Sequence, residues 1–166
     1  MEIPVAVPYL SPDEGLVEDW RKRMPHTGSA LKVGLVWAGS PGNKNDLNRS
    51  ISLSQLDLLG TVENVVFFNL QKGSGEAQAK QPLANLHFIG LTEDIGDFAS
   101  TALIANLDLV ICVDTSVAHL AGLLANQHGC YCHLRRTGAG CWRGKIVRGI
   151  RPCACSANAI LATGKR

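Results

Sequence analysis

Apolar and polar positions between residues 31 and 124 form two alternating kinds of segment. Short runs of Val, Ile, Leu and Phe without polar alternation are typical of strands buried on both faces of a parallel sheet. Four such runs occur, at Lys32–Trp37, Val65–Asn69, Leu86–Ile89 and Leu109–Val113. Helical spacing is found at Leu53–Leu59, Asp97–Leu107 and Val117–Leu124, with a weaker helix at Gly75–Lys80. Strand alternating with helix predicts a doubly wound α/β unit of about four parallel strands.

A further helix is predicted before the first strand. Ser11 is a suitable N-cap, Pro12 fits the first helical position and Glu14 completes a capping box. Apolar residues then recur on one face, at Leu16, Val17, Trp20 and Met24. We therefore divide the chain into a linker and helix at residues 1–30, an incomplete α/β domain at 31–124, and the remainder at 125–166.

Composition narrows the class of protein. The 166 residues are 46% apolar and 18% charged, which suits one domain with its own core. No window approaches about eighteen consecutive apolar residues, so no transmembrane segment is expected. The first residues, with Glu2 and Pro4, do not resemble a secretory signal, and a cytoplasmic location is therefore expected. Disulfides are not expected in that reducing compartment, and Cys112 is interpreted as a small buried apolar residue.

The net charge of +2 is the sum of two unlike segments. Residues 1–124 hold 8 basic and 14 acidic side chains, a balance of −6, whereas residues 125–166 hold 8 basic side chains and no acidic one. Five of the six cysteines also lie after residue 124. This change in character requires the two segments to be interpreted separately.

Candidate chemistry lies where the predicted strands end. Ligands of Rossmann-like sheets bind beyond the carboxyl ends of the strands. Three polar segments fall there: the loop from Ala38 to Arg49 and Ser50, the segment Gln71–Gly75, and Asp114–Ser116 before a helix. Because a helix start favours phosphate, and because Arg49 and Lys72 supply cations, the sequence predicts a nucleotide or diphosphate site.

Each of these residues also has an ordinary structural interpretation. Asp114 or Thr115 would serve equally as a helix N-cap, and His119 as a satisfied, partly buried histidine. Lys72 and Arg49 taken singly suit solvated loop charges. The sequence has no Gly-x-Gly-x-x-Gly after the first strand and no P-loop, which disfavours a standard dinucleotide or P-loop enzyme.

Several longer motifs carry a resemblance. They are Val7-Pro8-Tyr9-Leu10, KVGLVWAGSP (32–41), NDLNRSISL (45–53), FFNLQKG (67–73) and DFASTALIANLDLVICVDTSVAHLAG (97–122). In this order they resemble the carboxyl-terminal half of a bacterial glycosyltransferase family. That family is related to the heptosyltransferases of glycosyltransferase family 9, often follows tetratricopeptide repeats, and is more distantly similar to the O-linked N-acetylglucosamine transferases. The resemblance extends from about Ile3 to Leu124.

The resemblance implies the donor-binding half of a GT-B fold and a nucleotide-sugar as substrate. By position in the motifs, Asp114, Thr115 and Ser116 would hold the donor diphosphate, with His119 in the same motif. Lys72 and Arg49 match the basic residues of the two preceding segments. No cofactor and no metal are implied, since the chain has no Asp-x-Asp motif. The catalytic base and the acceptor site belong to an upstream lobe, so no catalytic residue is assigned here and the acceptor is unknown.

This resemblance predicts a fragment of a metal-independent glycosyltransferase that is inactive by itself or active only with its missing lobe. A non-catalytic nucleotide-binding or scaffold module is the first alternative. The second is a zinc-binding, basic, nucleic-acid-associated protein, which requires the segment after residue 124 to be functional. No nucleic-acid partner is expected on the leading interpretation.

Residues 125–166 admit three interpretations. Zinc ligand types are present at His128, Cys130, Cys132, His133, Cys141, Cys153 and Cys155. Their pairs are Cys-x-Cys rather than the Cys-x-x-Cys that structural zinc sites favour, which disfavours a metal site. A basic nucleic-acid or membrane tail fits the charge, but no heptad, aromatic platform or amphipathic helix supports it.

The third interpretation is translation in the wrong frame. When each codon is read one base early, Cys130-Tyr131-Cys132 forces two leucines, because Cys and Tyr codons both end in a pyrimidine. The following codons are compatible with Pro- and Trp-rich segments that the family pattern places after this helix. We therefore hypothesise an out-of-frame segment beginning between Leu124 and Asn126. Such a segment is expected to be irregular or disordered, to lack a strand that extends the sheet, and to carry its five cysteines by accident.

Overall fold

A computed structural model describes residues 10–44, 46–91 and 99–124, together with the backbone of residues 130–133. The strands are β1 (Leu31–Val36), β2 (Val65–Asn69), β3 (Phe88–Gly90), β4 (Leu109–Cys112) and β5 (Cys130–His133). The α-helices are α1 (Glu14–Arg23), α2 (Asp46–Arg49), α3 (Glu76–Ala79), α4 (Ala99–Ile104) and α5 (Ser116–Leu124). Two 3-10 helices, Leu53–Thr61 and Gly73–Gly75, complete the described elements.

The sheet confirms the predicted doubly wound, Rossmann-like α/β class. Its five strands lie in the order β3-β2-β1-β4-β5, and every neighbouring pair is parallel. Leu35 of β1 is in register with Asn69 of β2 on one side and with Ile111 of β4 on the other. The chain runs outwards from β1 to β3 and then returns to β4, so strand order reverses between β1 and β4. A ligand crevice is expected beyond the carboxyl ends at this reversal.

The four predicted strands are present, with small shifts in their bounds. The third begins at Phe88 rather than at Leu86, because the Asp57 carboxylate hydrogen-bonds to the backbone just before it. Asp57 accepts hydrogen bonds from the backbone N–H groups of Asn85 and Leu86 at 2.9 and 3.0 Å. These two bonds hold the pKa of Asp57 below its ordinary value of 3.8. Residues 85 and 86 are thereby anchored to the helix Leu53–Thr61 instead of the sheet.

The fifth strand corrects an expectation. The segment after Leu124 was expected to lack a strand beside the sheet, yet the backbone of Cys130–His133 pairs in parallel with β4. Cys130-Tyr131-Cys132 is a short apolar run, but the out-of-frame interpretation of this segment gave no reason to expect a strand. Pairing at the edge of β4 satisfies backbone N–H and C=O groups that need partners. The other residues after 124, including Cys141, Cys153 and Cys155, lie outside the described residues.

Both faces of the sheet are covered, as a parallel sheet requires. One core layer joins β1, β2 and β4 to α1, α4 and α5, with Trp20, Phe68 and Leu103 at its centre. The other joins the sheet to the helix Leu53–Thr61 through Trp37 and Leu53. That helix is of the 3-10 type where residues 53–59 were predicted to be helical.

One helix begins at a different residue from the one predicted, and the start of another lies outside the described residues. The N-cap of α1 is Asp13 rather than Ser11, because the Asp13 carboxylate accepts the N–H of Leu16 at 3.0 Å. The predicted helix Asp97–Leu107 is described from Ala99 onwards, and its first two residues lie outside the described set. Val7-Pro8-Tyr9, from the first of the motifs that carry the resemblance, lies outside the described residues as well. Within the described residues, no helix has the length and apolar character needed to cross a membrane.

Candidate functional site

A cavity of about 650 Å³ opens at the reversal of strand order. Its polar wall comes from the loop after β1, from the segment after β2 and from the start of α5, with Arg49, Lys72, Thr115 and Ser116 among the lining residues. Its apolar wall includes Val36 and Leu70 at the sheet, Ile104 of α4 and Leu120 of α5. A pocket with an apolar floor and a few converging polar groups is the usual form of a small-molecule site.

Arg49 crosses from the loop after β1 to the loop after β4. Its Nη2 donates to the backbone carbonyl oxygen of Asp114, and its Nε lies 3.4 Å from Asp114 Oδ2. The Arg49 side chain is 19% exposed and that of Asp114 is 44% exposed. Arg49 therefore connects two walls of the site, and the carboxylate of Asp114 neutralises part of its charge.

Thr115 directly precedes α5 and is one of the residues that line the cavity. Its Oγ1 is buried and has no hydrogen-bond partner among the described residues, so the side chain does not cap the helix. The backbone provides the first turn instead, with Ala118 N–H donating to the Thr115 carbonyl at 3.1 Å. A buried hydroxyl without a partner costs about 1–3 kcal/mol of stability.

Lys72 reaches the same cavity from the end of β2. Its side chain is exposed and its backbone is extended, with φ −117° and ψ 156°. The chain then turns at Gly73, whose φ of +76° lies in the left-handed region that favours glycine. This turn lets the segment leave the sheet directly after Lys72 and start the short helix Gly73–Gly75.

The loop after β1 is held by hydrogen bonds within itself and by hydrogen bonds to the segment after β2. Gly39 N–H donates to Ser50 Oγ at 2.9 Å, and the Ser50 hydroxyl donates to Asp46 Oδ1 at 2.8 Å. On its other side, Ser74 Oγ donates to the Gly39 carbonyl at 3.1 Å. A Cβ at Gly39 would lie only 2.8 Å from Asp46 Oδ1, so a larger residue there would displace the Asp46 carboxylate.

Gln71 is the residue of the site that the sequence did not single out. It lines the cavity, is 1% exposed and hydrogen-bonds through its carboxamide to the loop after β1. Its Oε1 accepts from the N–H groups of Trp37 and Ala38 at 3.0 and 2.8 Å. The available signal was a single amide residue directly after a buried strand, in the position Leu70-Gln71-Lys72.

The structure brings together most, but not all, of the predicted site residues. Arg49, Lys72, Thr115 and Ser116 all line the cavity. Asp114 contacts Arg49 rather than lining the cavity, and His119 is an exposed residue further along α5 that does not line it either. The interpretation of Arg49 as a solvated loop charge is wrong, because its side chain is mostly buried against Asp114.

No group of three or more His, Cys, Asp or Glu side chains in the described part of the chain is placed to hold a metal ion. The side chains of the candidate zinc ligands after residue 124 lie outside that part.

The fold and the site define a Rossmann-like α/β protein with a polar-walled cavity at its topological switch point. Comparison with protein-family models, with curated proteins and with solved structures finds no match to this chain. The chemistry of the cavity is therefore the ground on which its function is proposed.

Proposed function

We propose that this chain is the nucleotide-sugar donor-binding half of a metal-independent GT-B glycosyltransferase. The observation that carries the proposal is the convergence of Arg49, Lys72 and the start of α5 on one cavity. That cavity lies at the reversal between β1 and β4, where nucleotides bind to sheets of this order. The family resemblance of the motifs at 67–73 and 97–122 supports the same class of ligand.

The cavity suits a ligand with a charged and an apolar end. A diphosphate at the polar wall would meet the Lys72 ammonium and the N–H groups at the start of α5. The apolar wall, with Ile104 and Leu120, is suited to the less polar part of a nucleotide-sugar. At about 650 Å³ the cavity is within the usual range for small-molecule sites.

The chemistry of glycosyl transfer agrees with this arrangement. Negative charge develops on the diphosphate as it leaves the sugar, and preorganised cations and backbone dipoles stabilise that charge. In the proposed enzyme, Lys72 and the first N–H groups of α5 would supply these charges. The proposal assigns the catalytic base and the acceptor to the upstream lobe of the full-length relative, which the resemblance implies.

Calorimetric titration of the full chain with uridine, guanosine and adenosine diphosphates tests the proposal. We expect one of them to bind, and Lys72→Ala to weaken its binding by roughly tenfold to a hundredfold, as expected for a hydrogen bond to a charged group. Lys80→Ala is the matched control, because Lys80 is exposed and does not line the cavity. Absence of binding by all three nucleotides would refute the proposal.

Sugar-nucleotides with acceptor candidates distinguish an enzyme from a scaffold module that only binds nucleotide. Release of free nucleoside diphosphate on adding an acceptor supports the transferase, whereas binding without release supports the module. Stoichiometric zinc together with no nucleotide binding would favour the zinc-binding alternative. Sequencing the gene across the Leu124 codon tests the out-of-frame hypothesis. An intact frame in several independent reads, with the segment detected by peptide mass spectrometry, would contradict a sequencing error and leave a genuine frameshift mutation as the remaining form of the hypothesis.

A further inference from the structure

The backbones of β1 and β2 separate at the cavity, and a side chain fills the gap between them. The last backbone bond between the two strands is donated by Leu70 N–H to the Leu35 carbonyl at 3.0 Å. One residue later, the Gln71 carboxamide takes the place of the missing strand. Its Oε1 accepts from Trp37 and Ala38 N–H, and its Nε2 donates to the Ala38 carbonyl at 3.0 Å.

The same carboxamide also holds the chain that leads to Lys72. Gln71 Nε2 donates to the Lys72 carbonyl at 2.7 Å. Separately, the backbone N–H of Gln71 donates to Asn69 Oδ1 at 2.9 Å. A glutamine side chain offers two acceptor lone pairs and two N–H donors. All four are used within the protein, so the carboxamide has no donor or acceptor left for a ligand even though Gln71 lines the cavity.

The surroundings of Gln71 fit this arrangement. The residue is 1% exposed, and a buried amide is tolerated only when its hydrogen bonds are made. Gly75 packs directly against it, since a Cβ at that position would lie 2.7 Å from Cδ and 2.9 Å from Nε2 of Gln71. Glycine at position 75 therefore leaves room for the Gln71 carboxamide.

From these contacts we propose that Gln71 is a positioning residue of the ligand site, an inference that rests on the donor-binding function proposed above. Its carboxamide fixes the distance between the loop after β1 and the segment that carries Lys72. Both walls are thereby set in the absence of ligand, which removes the cost of ordering them on binding. Gln71 acts through these backbone segments and does not itself touch the ligand.

Gln71→Met tests this role, because it removes all four side-chain bonds with little change in size. We expect its folded form to bind inorganic pyrophosphate about tenfold more weakly than the wild type, measured by calorimetry well below the unfolding temperature. Gly75→Ala, which keeps the carboxamide but displaces it, is expected to act in the same direction. Gln81→Met is the control, because Gln81 is exposed and does not line the cavity. Faster amide exchange at Trp37 and Ala38 verifies loss of the bonds.

A purely structural role lowers the unfolding temperature but leaves the pyrophosphate affinity of the folded protein unchanged. Dissociation constants within about twofold of wild type in both variants, with faster exchange at Trp37 and Ala38, would therefore overturn the inference. If Gln71→Met does not fold, the affinity of Gly75→Ala decides alone.

Failure of the donor-site proposal and failure of the positioning role of Gln71 give different results. If the wild-type chain binds no pyrophosphate and no nucleoside diphosphate, the donor-site proposal fails. The positioning role is then decided by the nuclear Overhauser contacts between Gly39 and Ser74, which are joined by a 3.1 Å hydrogen bond, in the Gln71→Met or Gly75→Ala protein. Loss of these contacts supports control of the two walls by the carboxamide, and unchanged contacts refute it.

Discussion

Asp114→Asn is expected to tighten diphosphate binding, although Asp114 belongs to the motif that the resemblance assigns to the diphosphate. In the structure its carboxylate faces Arg49, with 3.4 Å between Oδ2 and Nε. The amide of asparagine has the same shape without the charge. The Arg49 bond to the backbone carbonyl of residue 114 does not depend on the side chain, so Arg49 keeps its place and gains net positive charge toward the cavity.

The size of the effect follows from the distance and the exposure. Two unit charges 3.4 Å apart interact by about 5 kcal/mol at an effective dielectric constant near 20, and by about 1 kcal/mol in water. Asp114 is 44% exposed, which places the pair near the aqueous limit. Removing about 1 kcal/mol of attraction between Asp114 and Arg49 corresponds to an approximately fivefold lower dissociation constant for the diphosphate. The free energy of unfolding is expected to fall by no more than about 1 kcal/mol.

Calorimetric titration with inorganic pyrophosphate measures the change, at about 0.05 M and about 0.5 M salt. The gain is expected to shrink at the higher concentration, because salt screens partly exposed charges. Asp19→Asn is the control, since it removes the same charge from an exposed position on α1, 3.9 Å from Lys22. Equal gains in both variants would reveal a net-charge effect, and weaker binding by Asp114→Asn would show that the carboxylate contacts the ligand; either result refutes the reasoning.

Three further predictions concern the sheet and its surroundings. Gly34→Ala is expected to destabilise the protein by about 1–3 kcal/mol in urea unfolding, because its Cβ would lie 2.5 Å from Leu70 Cδ1. Gly90→Ala is the control, because a Cβ at Gly90 meets no atom within 4 Å and is expected to cause no clash. Because the folded-state pKa of Asp57 is lowered, its contribution to stability is present above about pH 4 and lost as pH falls through that pKa. Asp57→Asn should therefore flatten the acid side of the unfolding profile. Burial raises the pKa of Cys112 to about 12, so peptide mapping should find it unalkylated at about pH 8 until the chain is unfolded.

The fold was predictable where apolar runs determine it. The strands β1, β2 and β4 were located to within a residue or two, because segments buried on both faces must be apolar throughout. β5 was not predicted, because the segment was interpreted as out of frame, and its pairing depends on the open edge of β4 rather than on a local pattern. The later start of β3 depends on Asp57, a carboxylate about thirty residues away in the sequence. Tertiary contacts of this kind leave no local pattern.

The site was predictable as a place and only partly as a set of contacts. Parallel strands bring their carboxyl ends to one edge, so Arg49, Lys72 and Thr115 were expected to converge, and they do. Sequence alone does not specify which charges pair with each other within the site. The Arg49–Asp114 contact spans 65 positions, and the hydrogen bonds of Gln71 to the loop after β1 span 33 and 34. Both depend on the strand order rather than on any neighbouring residue.

The charge of the chain has to be considered at the distance over which it acts. Residues 1–124 carry a balance of −6, a sign of net charge that opposes anion binding at long range. At physiological salt, exposed charges further away than about 8 Å are largely screened, so the cavity responds mainly to its own wall. There, the carboxylate of Asp114 offsets Arg49, while the Gln71 carboxamide holds the segment that presents Lys72. At the proposed site we therefore expect affinity for a diphosphate to be set by the balance between Arg49 and Asp114 and by the placement of Lys72.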